Sequence, residues 1–178
     1  MENIVSILSN EGLVIMPCDT VYGIIGIYPA TDNKIREIKG RGENKPFLIL
    51  IKKEWIHNFT KIKINNYLLN LWPGPLTIIV PGLNNDTIAL RVPDDKRLQK
   101  LLLELKKPLY STSVNKSGQQ TLETEHAIES EFGNKVDLFV KEGDLIGSRP
   151  STIIDITQLP YKILRNGACP VDLNMLML

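Results

Sequence analysis

Four short polar segments of this 178-residue chain carry the side chains best suited to chemistry. They are "PCDT" (17–20), "KGRGENK" (39–45), "STSVNKSG" (111–118) and "SRPST" (148–152). Each stands at the end of an apolar, strand-like run or in the loop that leaves it, and ligands of α/β proteins commonly bind beyond strand ends. We therefore expect the four segments to converge on one cavity.

The segment 39–45 concentrates three cations, Lys39, Arg41 and Lys45, in one short loop with two glycines. Long cationic side chains on a flexible backbone can wrap a triphosphate or a carboxylate. An ordinary solvated loop explains the same charges about equally well, because charge runs usually face water. The loop contains neither G-x-x-x-x-G-K nor G-x-G-x-x-G, so no standard phosphate-binding motif separates the two interpretations.

Two arginines lie in predicted strands. Arg91, in "TIALRV", is either an outward-facing residue of an edge strand or a buried cation that needs an anionic partner. Arg165, in "YKILRNG", is followed closely by a glycine and is suited to holding a phosphate or stacking on a base. Both arginines therefore extend the set of candidate anion contacts.

Covalent catalysis is not indicated. The hydroxyls of segment 111–118 have no histidine or lysine arranged beside them as a base, so they suit the orientation of a polar ligand better than nucleophilic attack. Cys18 follows an apolar run and has no partner nearby, which favours a packed thiol over a nucleophile. His57 and His126 are far apart and in no metal-ligand spacing. We expect no protein-held metal.

Helices and strands alternate along the chain. Apolar runs predict strands at "LVIM", "GIIGIY", "FLILI", "LTIIV", "TIALRV", "LYSTS", "VDLFV", "STIIDI" and "YKILR". Helical spacing, capping residues and prolines predict helices near residues 4–8, 32–39, 64–72, 95–105 and 124–132. This pattern predicts an α/β fold with a partly antiparallel sheet, organised as a single domain over residues 1–178.

The composition narrows the class of partner. The net charge is +1, so the whole-protein field gives no general attraction to nucleic acid. No apolar run approaches the roughly 20 residues that span a bilayer, and the first ten residues lack the basic start of a signal peptide. We expect a cytoplasmic protein without membrane contact.

Seven motifs in this order resemble those of the YrdC-like threonylcarbamoyl-AMP synthase family, in its short, single-domain form. They are "PCDTVYG", "KGRGENK", "PGPLT", "RVP", "STSVNKSG", "STIID" and "RNG", and they extend from Met16 to Gly167. The resemblance implies a twisted mixed β-sheet with flanking helices and a large, concave, positively lined cavity. Cys18 departs from the family pattern, which has threonine there, and Val114 replaces a common alanine.

The resemblance also implies a reaction. L-threonine, bicarbonate and ATP would give L-threonylcarbamoyl-AMP and pyrophosphate, for the threonylcarbamoyladenosine modification of tRNA beside the anticodon. Mg²⁺ would arrive with ATP, no cofactor would be tightly bound, and downstream tRNA threonylcarbamoyl-transfer proteins would be partners. An RNA-binding module of the same fold, or a related carbamoyl-adenylate enzyme with another acceptor, is the alternative. Weak binding of RNA is a further expectation about partners.

The site residues follow from the resemblance by matching position. Threonine and its carbamate would be surrounded by Thr20, Arg91, Ser111 and Ser151. Catalysis would rest on positioning and charge neutralisation by Lys39, Arg41 and Lys45, without a covalent residue. ATP would be held by Arg41, Lys45, Thr87, Ser113, Asn115, Thr121 and Arg165.

Overall fold

One mixed β-sheet organises the molecule. The computed structural model describes residues 1–42, 46–84 and 86–176. Within these ranges nine strands pair in the order β7-β1-β2-β6-β3-β5-β4-β8-β9. Three neighbouring pairs, β1/β7, β3/β5 and β4/β8, are parallel and the others are antiparallel. The strands are β1 Val14–Pro17, β2 Tyr22–Ile27, β3 Leu48–Leu50, β4 Leu76–Pro81, β5 Thr87–Arg91, β6 Leu109–Ser113, β7 Leu138–Phe139, β8 Thr152–Asp155 and β9 Lys162–Arg165.

The predicted helices are present and begin and end at identifiable residues. Asp95 begins α4 by accepting hydrogen bonds from the N–H groups of Arg97 and Leu98. Gly40 ends α2 in the left-handed conformation, at φ 59°, which glycine adopts without steric cost. The helices are α1 Glu2–Ser9, α2 Asp32–Lys39, α3 Asn66–Asn70, α4 Lys96–Leu105 and α5 Glu125–Phe132, and 3₁₀ turns occupy Lys53–Asn58, Gly133–Lys135 and Leu173–Leu176.

The two faces of the sheet are covered differently. On one face, strand residues such as Ile24, Ile78 and Leu90 belong to a core cluster with side chains from α2, α3 and α5. On the other face, α1 and α4 cover only part of the sheet, with Ile25 and Leu109 among the strand residues buried there. The remainder of this second face lines a cavity.

Strand β6 shows how the sequence divides that second face. Side chains alternate between the faces of a sheet, so Leu109, Ser111 and Ser113 share one face and Tyr110 lies on the other. Leu109 packs in the cluster with α1 and α4, whereas Ser111 and Ser113 line the cavity. A change from leucine to serine along one strand therefore marks where the apolar packing stops and the cavity begins.

The predicted strands are present in the predicted order, although β3 has only three residues of its five-residue run. Strand β7 has two residues where a five-residue run was predicted, and the 3₁₀ turn Lys53–Asn58 was not predicted because it lacks a helical apolar period. Arg91 lies on an interior strand, since β5 pairs with both β3 and β4. The edge-strand interpretation of Arg91 was wrong and the buried-cation interpretation is confirmed.

Candidate active site

A cavity of about 340 Å³ lies on the partly uncovered face of the sheet. Its size is at the lower end of the range of small-molecule sites, about 300–1,000 Å³. Three guanidinium groups face it, from Arg41, Arg91 and Arg165. Residues with hydroxyl groups from four strands or strand ends also line it: Thr20, Thr77, Ser111, Thr112, Ser113 and Ser151. Segments far apart in sequence thus contribute to one positively lined space.

Arg91 is held in place by a buried ion pair. Its side chain and that of Asp19 are 4% and 8% exposed, and Nη2 of Arg91 bonds Oδ1 of Asp19. Nε donates to the carbonyl of Gly74 at 3.2 Å, and Nη1 contacts the hydroxyl of Thr20 at 3.4 Å. The second oxygen of Asp19 accepts the backbone N–H of Asp94 at 3.0 Å. Asp19 therefore fixes the guanidinium plane at the cavity wall.

Arg165 is positioned by Ser151. Its Nε donates to the Ser151 carbonyl at 2.8 Å and its Nη2 donates to the Ser151 hydroxyl at 3.0 Å. The same hydroxyl lies 2.9 Å from Oγ1 of Thr77, which is 2% exposed. Although Arg165 is exposed as a whole residue, partial desolvation and then the neighbouring charge of Arg91 lower its pKa. Two like charges therefore face the same cavity, an arrangement that an anion would stabilise.

Arg41 approaches the cavity from the loop after α2. Its Nη2 donates to the Pro46 carbonyl at 2.9 Å, and its guanidinium carbon lies 4.9 Å from the centre of the Phe47 ring. Burial, and then the charge of Arg36, lowers the pKa of Arg41. Lys45, the third cation predicted in this loop, lies outside the described residues.

Lys39 contacts the site through the loop that follows β6. Its ammonium group donates to the Ser113 carbonyl at 2.5 Å, and to the carbonyl and side-chain oxygen of Asn115 at 2.7 and 3.3 Å. Only 2% of Lys39 is exposed, and burial, followed by the charge of Arg41, lowers its pKa to about 8. Oδ1 of Asn115 also accepts the Ser113 hydroxyl at 2.6 Å. Lys39 and Asn115 thus shape the loop, and neither lines the cavity.

Segment 17–20 lies at the cavity rim, where Pro17 is buried and the three residues after it are half-buried. Burial raises the pKa of the Cys18 thiol to about 12, so the thiolate that a nucleophile requires is disfavoured. A β-carbon on Gly23 would lie 2.9 Å from the Cys18 sulfur, so the glycine makes room for this thiol. These observations agree with the packed-thiol interpretation of Cys18.

Besides Asn115, two predicted ATP contacts, Thr87 and Thr121, lie outside the main cavity. Thr87 is exposed at the start of β5, on the same face as Ala89, which lines the cavity. Thr121 lines a second depression of about 590 Å³ that shares Val21 and Pro150 with the main cavity. A ligand in the main cavity could contact Thr87 or Thr121 only if the ligand extended beyond that cavity.

Two site residues were missed by the sequence analysis. Asp19 was given no role there, but it is the ion-pair partner of Arg91. Thr77 lay within the motif "PGPLT" without a role, although it lines the cavity beside Ser151. The sequence could have indicated a role for Asp19, because a buried arginine such as Arg91 requires a carboxylate partner. The contact of Thr77 depends on the parallel pairing of β4 with β8, which no local pattern indicates.

Comparisons with known proteins agree with this fold. The model of the Sua5/YciO/YrdC family, described as "Telomere recombination", matches residues 6–167. The chain therefore belongs to the Sua5/YciO/YrdC family.

Two relatives are named for the same enzymatic activity. A Pyrococcus abyssi protein named threonylcarbamoyl-AMP synthase is 29% identical over 178 residues, which cover 90% of this chain and 52% of the relative. A Methanocaldococcus jannaschii protein named "Putative threonylcarbamoyl-AMP synthase" is 32% identical, over 92% of this chain and 83% of the relative. The chain thus spans about half the length of the P. abyssi relative and most of the M. jannaschii one.

A solved structure extends the likeness to three dimensions. The crystal structure of P. abyssi Sua5 complexed with L-threonine superposes with a TM-score of 0.82 at 27% identity, over 93% of this chain and 53% of that one. Within the described ranges, no helix of our protein has the length and apolar character required to cross a membrane.

Proposed function

We propose that this protein is an L-threonylcarbamoyladenylate synthase, which forms L-threonylcarbamoyl-AMP and pyrophosphate from L-threonine, bicarbonate and ATP. The observation that carries the proposal is the convergence of Arg41, Arg91 and Arg165 with several hydroxyls on one cavity of about 340 Å³, in a chain of this family. Both substrates that must be localised, an amino acid and a nucleotide, bear anionic groups that guanidinium groups bind well.

Arg91 is suited to the amino acid. Three of its five N–H groups have partners among the described residues, namely Gly74, Thr20 and Asp19, and two remain. Two N–H groups in a fixed plane can bind a carboxylate, and Asp19 fixes that plane. The hydroxyls of Thr20 and Ser111 would orient the rest of the amino acid.

Arg165 and Arg41 are suited to the nucleotide. Arg165 has no carboxylate partner among the described residues, and its two contacts to Ser151 leave three N–H groups for phosphate oxygens. Arg41, with Lys45 of the same loop, would neutralise the β- and γ-phosphates of ATP, which leave as pyrophosphate. Thr87 and Thr121 would contact the outer parts of the nucleotide. Mg²⁺ would arrive bound to the ATP phosphates, as is usual for this ion.

The chemistry requires positioning more than a covalent side chain. The threonine amine adds to bicarbonate and loses water, which gives a carbamate. A carbamate oxygen then attacks the α-phosphorus of ATP, a P–O bond forms, and the bond to the β-phosphate breaks with pyrophosphate as the leaving group. Fixed cations stabilise the charge that develops in this transfer, and a bound orientation replaces a bimolecular encounter.

The product would be used to modify tRNA. We propose that proteins which transfer the threonylcarbamoyl group to the adenosine beside the anticodon consume it, in the cytoplasm. The mixed anhydride of a carbamate with AMP is an activated acyl donor, so a transfer reaction must follow its formation. We propose that residues 1–178 form a single domain.

The proposal is tested by pyrophosphate release from MgATP with threonine and bicarbonate omitted in turn. We expect release only when both are present. Release that persists without threonine would refute the synthase, and RNA binding without any release would favour an RNA-binding module of the same fold. Release with another amino acid and not with threonine would favour a related enzyme with a different acceptor.

A further inference from the structure

The segment that carries Arg41 is tied to helix α2 by Arg36. Arg41 lies between Gly40 and Gly42, directly after the end of α2. The carbonyl of Arg36 accepts the backbone N–H of Arg41 at 3.0 Å, and Nη1 of Arg36 donates to the Gly42 carbonyl at 2.7 Å. The backbone and the side chain of Arg36 therefore hold the chain just before and just after the point where the Arg41 side chain leaves it.

The two glycines make such anchoring necessary. A residue without a β-carbon has the widest range of backbone conformations, so Arg41 is flanked on both sides by freely rotating positions. A β-carbon on Gly40 or Gly42 would meet no atom of the described residues within 4 Å, so close packing does not confine the backbone there. Hydrogen bonds to the backbone are then the means of fixing Arg41, and Arg36 makes two of them.

Arg36 is itself held by Asp32, the first residue of α2. Residues four apart lie on one face of a helix, and the two side chains form a bidentate pair there. Nε of Arg36 bonds one carboxylate oxygen of Asp32, and Nη2 donates to the other at 3.2 Å. Two parallel bonds fix the plane of the guanidinium group, so its third nitrogen, Nη1, has a set direction towards Gly42.

A shared aromatic ring aligns Arg36 with Arg41. The guanidinium carbons of both arginines lie 4.9 Å from the centre of the Phe47 ring. Phe47 is buried and lines the cavity. Arg41 lines the cavity as well, whereas Arg36 does not. Any effect of Arg36 on a ligand in the cavity therefore passes through its neighbours, and Arg41 is the charged one among them.

We propose that Arg36, fixed by Asp32, is a positioning residue that holds the Arg41 guanidinium where the phosphates of the nucleotide bind. The proposal rests on the proposed function, in which Arg41 contacts ATP. A cation that is fixed before the ligand arrives loses less conformational freedom on binding, so its contact contributes more to affinity. Removal of Arg36 therefore weakens nucleotide binding although no contact with the ligand is removed.

The proposal is tested by titration calorimetry of the full chain with α,β-methylene-ATP and Mg²⁺, an analogue that resists cleavage between the α- and β-phosphates. We expect Arg36→Met to weaken its binding about tenfold, at the lower end of the loss seen when the outer partner of a metal ligand is removed. The affinity for L-threonine should stay within about twofold, because its proposed contacts do not involve Arg41.

A matched control lies on the same helix. The ammonium group of Lys34 bonds the Glu11 carbonyl at 2.6 Å, and Lys34 does not line the cavity. Lys34→Met thus removes a long cation and its bond to a backbone carbonyl from α2, as Arg36→Met does. It should leave the affinity for the analogue unchanged.

Two further measurements separate positioning from a general electrostatic or structural effect. Asp32→Ala releases Arg36 and removes a negative charge. Positioning predicts weaker binding of the analogue, whereas simple attraction of the anion would predict tighter binding. In an Arg41→Ala background, Arg36→Met should change the affinity by less than about twofold, because a residue that acts through Arg41 has no effect once Arg41 is absent.

The outcomes distinguish the positioning role from the function. Equal affinity of wild type and Arg36→Met for the analogue, equal losses with and without Arg41, or tighter binding by Asp32→Ala would each overturn the positioning role and leave the proposed function standing. The predicted affinities in a protein that releases no pyrophosphate with threonine and bicarbonate would support the positioning role and refute the function. A wild-type protein that does not bind the analogue would overturn both proposals.

Discussion

Substitutions of Asp19 and Arg91, which form an ion pair, should have strongly non-additive effects on the free energy of unfolding. The two side chains are 8% and 4% exposed, so neither charge is well solvated when its partner is removed. Breaking a buried pair on one side typically costs about 3–5 kcal/mol, whereas removing both charges costs much less than the sum. We expect Asp19→Ala to lower the free energy of unfolding by about 3–5 kcal/mol, and the double variant Asp19→Ala/Arg91→Met to be more stable than Asp19→Ala alone.

The assay is urea unfolding followed by tryptophan fluorescence, since Trp72 is 3% exposed in the folded protein. A control is the Lys100–Glu104 pair on α4, whose side chains are 55% and 38% exposed. Lys100→Ala should change the unfolding free energy by less than about 1 kcal/mol. Additive losses from Asp19→Ala and Arg91→Met would refute the reasoning, because additivity means that the two charges do not stabilise one another.

Three further predictions follow from the site. Lys39 has its pKa lowered from 10.5 to about 8, so the unfolded chain binds this proton more tightly. The difference in unfolding free energy between wild type and Lys39→Met should therefore shift in favour of wild type from about pH 8 to 10.5, by on the order of 1 kcal/mol per pH unit; the comparison cancels the opposite slope of groups such as Cys18. Cys18, with a pKa of about 12, should resist iodoacetamide at pH 8 in the native state and react after unfolding, and Cys18→Thr should retain threonine-dependent pyrophosphate release within about threefold. Arg165→Ala should reduce that release on the order of a hundredfold without unfolding the chain, whereas Lys162→Ala, on the same strand but not among the residues that line the cavity, should leave it unchanged.

The order of elements could be predicted from the sequence because local signals agree with the fold. Apolar runs identified β1 and β2, and the capping residue Asp95 with its leucine stripe identified α4. The pairing of strands could not be predicted this way. Strand β6 lies between β2 and β3 in the sheet, and no periodic pattern indicates which distant strand becomes a neighbour.

The candidate site, like the fold, was predictable from the sequence only in part. The polar segments were recognised from residue type, and their motif order indicated the family. The roles of individual side chains required the structure: Lys39 looked like a phosphate ligand by its place in the basic loop, yet its ammonium bonds Ser113 and Asn115. A buried polar side chain bonds whatever acceptor the tertiary packing brings near, and sequence distance carries little information about that acceptor.

The most direct test of the central claim is to identify the product. The full chain is incubated with MgATP, L-threonine and ¹³C-bicarbonate, and the mixture is analysed by ¹³C and ³¹P NMR and mass spectrometry. We predict one compound that contains threonine, the labelled carbon and AMP, formed in equal amount with pyrophosphate. Conversion of ATP to AMP and pyrophosphate without incorporation of the label, or no consumption of ATP, would contradict the account.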